Sequence, residues 1–362
     1  MRLNSLTSLR FIAAFGVFLH HFHILKESNN HIIKFFNSIF YEGFVGVTFF
    51  YILSGFIISY SYKQHREREI FKTSDFLFNR VSRLYPVHIL TLFLAIYFYI
   101  PSYNYGLIHL DQLFYNALLI QSAFPDPQYF FGFNGVSWSV STEMFFYVAF
   151  IFLVTLNNRQ LQVFFCAVLA LIVYHMAAVP DTARYVAWTY YINPAFRVID
   201  FMAGMLLFRL YDTGKLVVRD RFASMMEIGS IIILAAVMAY GMPNVGMKYR
   251  YDIFYLVPMA LVVYVFAFGK GVVSRAISWK PIVFLGEASF SLYMIHQICI
   301  FVVSKNYEYN LDSMASTFFF MALTMGIAIG ISCLLYRFYE RPVNNGLRKL
   351  RYRKRNRTVL AS

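Results

Sequence analysis

The chain alternates long apolar stretches with short polar ones. About ten of the apolar stretches are long enough, or nearly long enough, to cross a hydrocarbon core of roughly 30 Å, which takes about 20 helical residues. They fall near residues 8–25, 43–61, 83–101, 140–157, 161–179, 194–211, 225–241, 252–269, 283–303 and 315–338. A further stretch, 112–124, reads as an interfacial or re-entrant helix. The pattern predicts an all-α fold, a polytopic membrane helix bundle over residues 1–340 followed by a basic tail, 341–362. There is no internal repeat and no low-complexity linker, and no appended soluble domain is expected. The first apolar run is broken by His20, His21 and His23 and precedes no small-residue cleavage site, so it does not read as a cleaved signal peptide.

Composition agrees with that reading. Hydrophobic residues make up 59% of the chain and charged residues 14%, with a mean hydropathy of +0.55, well outside the soluble norm. A net charge of +14 could suggest nucleic acid, but its distribution argues otherwise. If connections are assigned alternately to two sides, 25 of the 32 Lys and Arg residues share one side with both termini, whereas 102–137 on the other side has none. The positive-inside rule then puts both termini in the cytoplasm. The run 348–357 also suits anionic lipid headgroups. Charge is thus an orientation device, and no nucleic-acid partner is expected. Cys166, Cys299 and Cys333 lie in apolar runs without CxxC or metal-ligand spacing, so neither a disulfide framework nor a metal site is expected.

Ionisable groups inside a bilayer are costly, and each is a functional-site hypothesis. In SLRFIAAFGVFLHHF (8–22), Arg10 and His21 are eleven residues apart, three helical turns plus about 20°, and so share one face about 16 Å apart along the axis. His20 falls about 80° off that stripe and His23 about 140° off. The bland alternative makes Arg10 an interfacial anchor and the histidines helix-to-helix hydrogen-bond formers. In NRVSRLYP, Arg80 and Arg83 at i and i+3 just before a helix form a clamp suited to phosphates, or simple positive-inside flanking. WSVSTEMFFY opens a helix with Trp138 and Ser139 and carries Glu143 about one turn later. Glu143 reads either as a helix N-terminal charge or as a group that orients a histidine or binds a sugar hydroxyl. Ser54 and Gly55 read as a close-packing site between helices. Tyr293 and His296, deep in FLGEASFSLYMIHQ, are structural or line a substrate cavity. Arg197 and Asp200 read as a self-neutralising pair, and Glu340–Arg341 before Pro342 as a helix terminus.

Taken in order, these segments resemble the integral-membrane acyltransferase-3 family, which acylates cell-surface carbohydrates and related acceptors. The resemblance rests on Arg10-x10-His21, FFYILSGF (49–56), Arg80-x2-Arg83 with Leu-Tyr-Pro behind it, WSVSTE (138–143), SFSLYMIH (289–296) and YERP (339–342). Thr48 stands where the family commonly has an acidic residue, and Met144 where it often has a second Glu. The resemblance implies transfer of a short acyl group, acetyl foremost, to a carbohydrate acceptor in a bacterial cytoplasmic membrane: a hydroxyl of an envelope or exported polysaccharide or of its lipid-linked precursor.

The depths assigned by charge give a division of labour. Arg10, Arg80 and Arg83 lie near the cytoplasmic face and suit the phosphates of acyl-CoA. His21 lies a pantetheine arm's reach further out and suits general-base work, with Glu143 orienting its imidazole. Trp138, Ser139, Tyr293 and His296 are candidates for substrate contact. An acyl-histidine intermediate is the alternative mechanism. The alternative function is a secondary transporter or flippase for a lipid-linked or amphipathic sugar, for which buried Arg, His and Glu would serve equally well.

Overall fold

The computed structural model describes residues 3–67, 71–103, 109–215 and 218–360. It is helical, without a strand among the described residues. In chain order the helices are α1 (Asn4–His20), α2 (His31–Tyr41), α3 (Gly46–Glu67), α4 (Thr73–Tyr103), α5 (Leu110–Ala117), α6 (Pro127–Phe130), α7 (Trp138–Leu153), α8 (Asn158–Ala178) and α9 (Pro194–Asp212). They continue with α10 (Asp220–Asn244), α11 (Met247–Arg250), α12 (Ile253–Ala267), α13 (Val272–Ile277), α14 (Lys280–Glu287), α15 (Ser289–Asn306), α16 (Met314–Leu335) and α17 (Arg341–Leu360). Starts are set by local chemistry. Asn30, Asn157, Asn193 and Ser313 accept hydrogen bonds from the first-turn amides of α2, α8, α9 and α16, groups that would otherwise lack partners.

Among the described residues eight helices are long and apolar enough to cross a membrane, or nine if the pair α14–α15, bent by 67°, is one span. At 17 residues α1 is slightly shorter than these, about 26 Å long. The 112–124 segment is not a span but part of a connection containing α5, a 3₁₀ turn and α6. Two elements differ from the apolar pattern. The amphipathic α2 lies in what reads as a loop, burying Ile33 while Phe35 stays exposed. The fourth helix begins ten residues earlier than its apolar run, because its polar first turns are held by the tail. Arg351 pairs with Asp75 at 3.2 Å, Arg348 bonds Asn79 at 2.8 Å, and Ser82 donates to Asn344 at 3.2 Å.

Helix α3 is the central strut. It crosses α9 where two glycines face the opposing backbones, since a Cβ on Gly55 would lie 2.0 Å from the Phe201 carbonyl oxygen and one on Gly204 1.9 Å from that of Ile52. The two helices therefore approach more closely than any side chain allows, as small residues permit in membranes. Helices α8 and α10 stand outside with exposed apolar faces, including Val163, Leu171, Met225 and Ile232, which suit lipid. At the end of the bundle remote from the basic loops lies a charged layer. Arg197 pairs with Asp200 at 2.7 Å, approaches Asp252 at 4.0 Å and donates to Thr48 at 2.9 Å. Arg250 pairs with Glu42, which also accepts from Tyr255 at 2.5 Å. The Arg197–Asp200 pair is as the spacing suggests, with Asp252 as a third member.

Candidate active site

The site grows from four helices and the bend between two more. Arg10 sits in the second turn of α1, Arg80 and Arg83 on one face of α4, Glu143 and Tyr147 one turn apart on α7, and Ser54 midway along α3. With Ser139 and Tyr293 they line one internal cavity of ≈ 160 Å³. That is many times the roughly 10–15 Å³ a cavity needs to hold one water, so it is more than a packing defect. Arg80 and Arg83 are inside α4 rather than ahead of it, because the helix starts at Thr73. The i, i+3 spacing therefore operates as a true helical face.

The electrostatics of the cavity are unusual. Among the described residues none of Arg10, Arg80 and Arg83 makes a hydrogen bond or an ion pair, and Arg80 Nε is buried without a partner. The Arg80 guanidinium instead lies over the rings of Phe76 and Tyr147, at 5.5 and 5.8 Å. Each guanidinium carries five donors, and buried donors without acceptors are costly. Two carboxylates counter them. Glu143 Oε1 accepts from Ser54 Oγ at 2.9 Å and Tyr147 Oη at 2.7 Å. Glu340 is buried, accepts from Ser291 Oγ at 2.5 Å, and is near enough to Arg10 and Arg83 to interact electrostatically. Three guanidiniums against two carboxylates leave one positive charge in excess, a setting for an anion.

At the end of the cavity away from the arginines, Ser139 Oγ and Tyr293 Oη lie 2.7 Å apart, both within reach of the Val136 carbonyl. One turn along α15 from Tyr293 is His296, fully buried, with its ring against His21 at 4.8 Å between centroids. The hydrogen bonds fix the tautomers. His296 Nδ1 lies 2.7 Å from the Tyr293 carbonyl, an acceptor only, so Nδ1 carries the proton and Nε2 the lone pair. His21 Nδ1 lies 2.8 Å from the Val17 carbonyl and 3.1 Å from His296 Nε2, so it too is the protonated nitrogen. By assignment from these partners, His21 Nε2 is the basic atom of the pair.

The structure thus brings most of the sequence-derived candidates together, but in different partnerships. Glu143 does not hold the His21 imidazole: its hydrogen bonds run to Ser54 and Tyr147, it sits among the arginines, and His296 occupies the orienting position. Trp138 does not line the cavity; it is buried at the head of α7 and packs on Tyr191 at 4.8 Å. Ser54 is more than a packing residue, since Gly55 makes the close approach while Ser54 faces Glu143. Glu340 is not a helix terminus. It closes a π-helical turn, Tyr336–Glu340, that joins α16 to α17, and such turns recur at functional sites. Tyr147, four residues after Glu143, is a cavity residue that the spacing alone could have indicated. Among the described residues no group of three or more His, Cys, Asp or Glu side chains could hold a metal ion.

Comparison with known proteins gives this geometry a context. Residues 3–337 match the family profile Acyl_transf_3, described as an acyltransferase domain. Over 323 residues the chain is 28% identical to acyltransferase MdmB of Streptomyces mycarofaciens, covering 83% of this chain and 79% of that protein. It is 24% identical over 327 residues to the exopolysaccharide production protein ExoZ of Rhizobium meliloti, covering 89% and 93%. It is 25% identical over 378 residues to a protein of Staphylococcus aureus named as an O-acetyltransferase. That match covers 96% of this chain, which spans only 58% of the Staphylococcus protein's length. No solved structure matches the chain.

Proposed function

The chain belongs to the integral-membrane acyltransferase-3 family, and from that premise we propose that it moves an acyl group from cytoplasmic acyl-CoA to a hydroxyl of an envelope or exported glycan. One observation carries the reading. Three arginines that make no hydrogen bond or ion pair among the described residues surround a cavity whose far end lies one helical turn from a hydrogen-bonded histidine pair. Forked donors suit phosphate oxygens, and the basic end of the bundle, where the arginines lie, is the end that charge bias assigns to the cytoplasm. The relative named for exopolysaccharide production supports a carbohydrate acceptor, and the relative named O-acetyltransferase supports acetyl. The bacterial sources of these relatives support a bacterial cytoplasmic membrane.

In this mechanism Arg10, Arg80 and Arg83 bind donor phosphate, and the acyl-bearing arm extends past Glu143 towards Tyr293 and Ser139. His21 Nε2 takes the proton of the acceptor hydroxyl as its oxygen attacks the thioester carbonyl. The C–S bond breaks as the C–O ester bond forms, and the proton passes to the departing thiolate. The imidazolium formed transiently is stabilised at Nδ1–H by His296 Nε2 and the Val17 carbonyl. Glu143 and Glu340 hold the arginines' charge in balance before the donor arrives. The test is acyl-CoA turnover by purified protein in nanodiscs with candidate glycans. His21→Ala should abolish acceptor-dependent CoA release, and Arg10→Ala should mainly raise the KM for acyl-CoA. Intact donor under all conditions, or wild-type turnover by His21→Ala, would overturn the proposal.

A further inference from the structure

A second, larger cavity opens at the basic end of the bundle. Its volume is ≈ 990 Å³, and it is formed by the last turns of α3, the α7–α8 turn and the end of α9. That is at the upper end of ordinary ligand pockets, about 300–1,000 Å³. Four cations line it, Lys63, Arg66, Arg159 and Arg209, against one acid, Asp212. Two of the cations are committed. Lys63 pairs with Asp212, and Arg209 donates to Asn158 Oδ1 at 3.1 Å and to the Leu156 carbonyl at 2.7 Å. Arg66 and Arg159 make no hydrogen bond or ion pair among the described residues. The positive end of the 21-residue α8 also faces this cavity, through Asn157, Asn158 and Arg159.

Both cavities border α3. Helices α3 and α7 touch through Tyr51 and Phe146 (4.9 Å between ring centroids), Ser54 and Glu143, and Tyr62 and Phe150 (5.7 Å). On α3 the inner cavity takes Ser54 and Ile58 and the outer one Tyr62 and Arg66, in steps of four that wind slowly round the helix, by about 120° from Ser54 to Arg66. On α7 the inner cavity takes Glu143 and Tyr147, and the outer one takes Val154, the residue that caps its end, seven residues further and only about 20° round. Tyr62, which lines the outer cavity, packs edge-on against the buried Phe150, with Phe76 behind.

We infer that this outer cavity is a binding site for a phosphate ester, specifically the 3′-phosphorylated nucleotide end of the donor, seated by Arg66 and Arg159 while the arm passes inward between α3 and α7. The inference rests on the reading of acyl-CoA as donor, and divides the donor's two charged regions. The pyrophosphate falls to Arg80 and Arg83, the 3′-phosphate to Arg66 and Arg159. A lipid headgroup offers the same phosphate chemistry, so the test separates the two sources.

Full-length protein in phosphatidylcholine nanodiscs is titrated calorimetrically with adenosine 3′,5′-bisphosphate. Binding should occur and weaken by about tenfold or more in Arg66→Ala/Arg159→Ala, the scale of losing one or two charge-assisted bonds. In turnover, that variant should lose most of the wild type's preference for acetyl-CoA over acetyl-dephospho-CoA. No binding, equal binding by variant and wild type, or an unchanged preference would overturn the assignment. So would a variant effect confined to discs containing phosphatidylglycerol, which would make the cavity a headgroup site. Because the titration needs no catalysis, arginine-dependent nucleotide binding by a protein that leaves acyl-CoA intact would sink the acyltransferase reading but not the site.

Discussion

The His296–His21 hydrogen bond makes a sharp prediction. His296 is wholly buried and spends its Nδ1 proton on the Tyr293 carbonyl, so its Nε2 is committed as acceptor to His21 Nδ1. With both rings neutral, that bond shares the His21 proton with the Val17 carbonyl at 2.8 Å. In the proposed mechanism His21 takes the acceptor's proton, so the same bond becomes charge-assisted and strengthens as the transition state forms. Hydrogen bonds to charged groups contribute about 1.5–3 kcal/mol, so losing this one should slow turnover by about 10–150-fold. His296→Asn removes the acceptor, because its side-chain oxygen falls near the Nδ1 position. His296→Gln places an oxygen near Nε2 and should retain much of the rate. The assay is steady-state acetyl transfer in nanodiscs, with size-exclusion profile and melting temperature recorded for each variant. The expected pattern is a kcat loss in Asn, partial rescue in Gln, and near-constant KM for the donor. Wild-type kcat in a folded His296→Asn, or an equal loss in both variants, would refute the reasoning.

Other perturbations follow from the packing and the arginines. Gly204→Ala must push α3 and α9 apart, and should cost about 1–3 kcal/mol as an overpacked contact does. Thermal unfolding in detergent would show a lowered midpoint, whereas Gly229→Ala, with nothing within 4 Å of its Cβ, should show none. Arg197→Met leaves Asp200 and Asp252 buried without their cation, and should cost about 3–5 kcal/mol; Arg197→Met/Asp200→Asn should recover part of the lost melting temperature. Arg83→Lys keeps the charge but not the fork, and should raise the KM for acyl-CoA by about tenfold, one charge-assisted bond, with a smaller change in kcat.

The bundle was legible from the apolar runs because lipid demands long, uninterrupted stretches. Where helices leave the lipid, that signal stops. The first turns of α4 are polar and are held by the tail, so their helicity depends on contacts from more than 250 residues away. Helical geometry separates Arg10 from His21 along the axis of α1, because Arg10 sits in its second turn and His21 caps its end. Partnerships across elements were harder to read. Glu143 lies near the start of α7 in sequence, yet the crossing of α3 sets it opposite Ser54, and no spacing within WSVSTE reports that. His296 was visible as an intramembrane histidine, but its role depends on α15 meeting the end of α1. Glu340 stayed hidden because the YERP motif reads as a helix end, whereas a π-helical turn keeps the helix going and turns the carboxylate inward.

That last feature changes how the chain divides. From Met314 to Tyr352 the backbone is one uninterrupted rod of 39 residues. It carries Glu340 beside the arginine cavity about two thirds of the way along and Arg348 and Arg351 against α4 further on. The place where composition suggests a domain stops and a tail starts, residue 341, falls in the shaft of a lever whose far arm is fastened. A protein cut there would keep every catalytic candidate and still lose the fastening that sets Glu340's depth and rotation. Truncation and affinity-tag placement at this end are thus perturbations of the candidate site, to be tested like mutations within it.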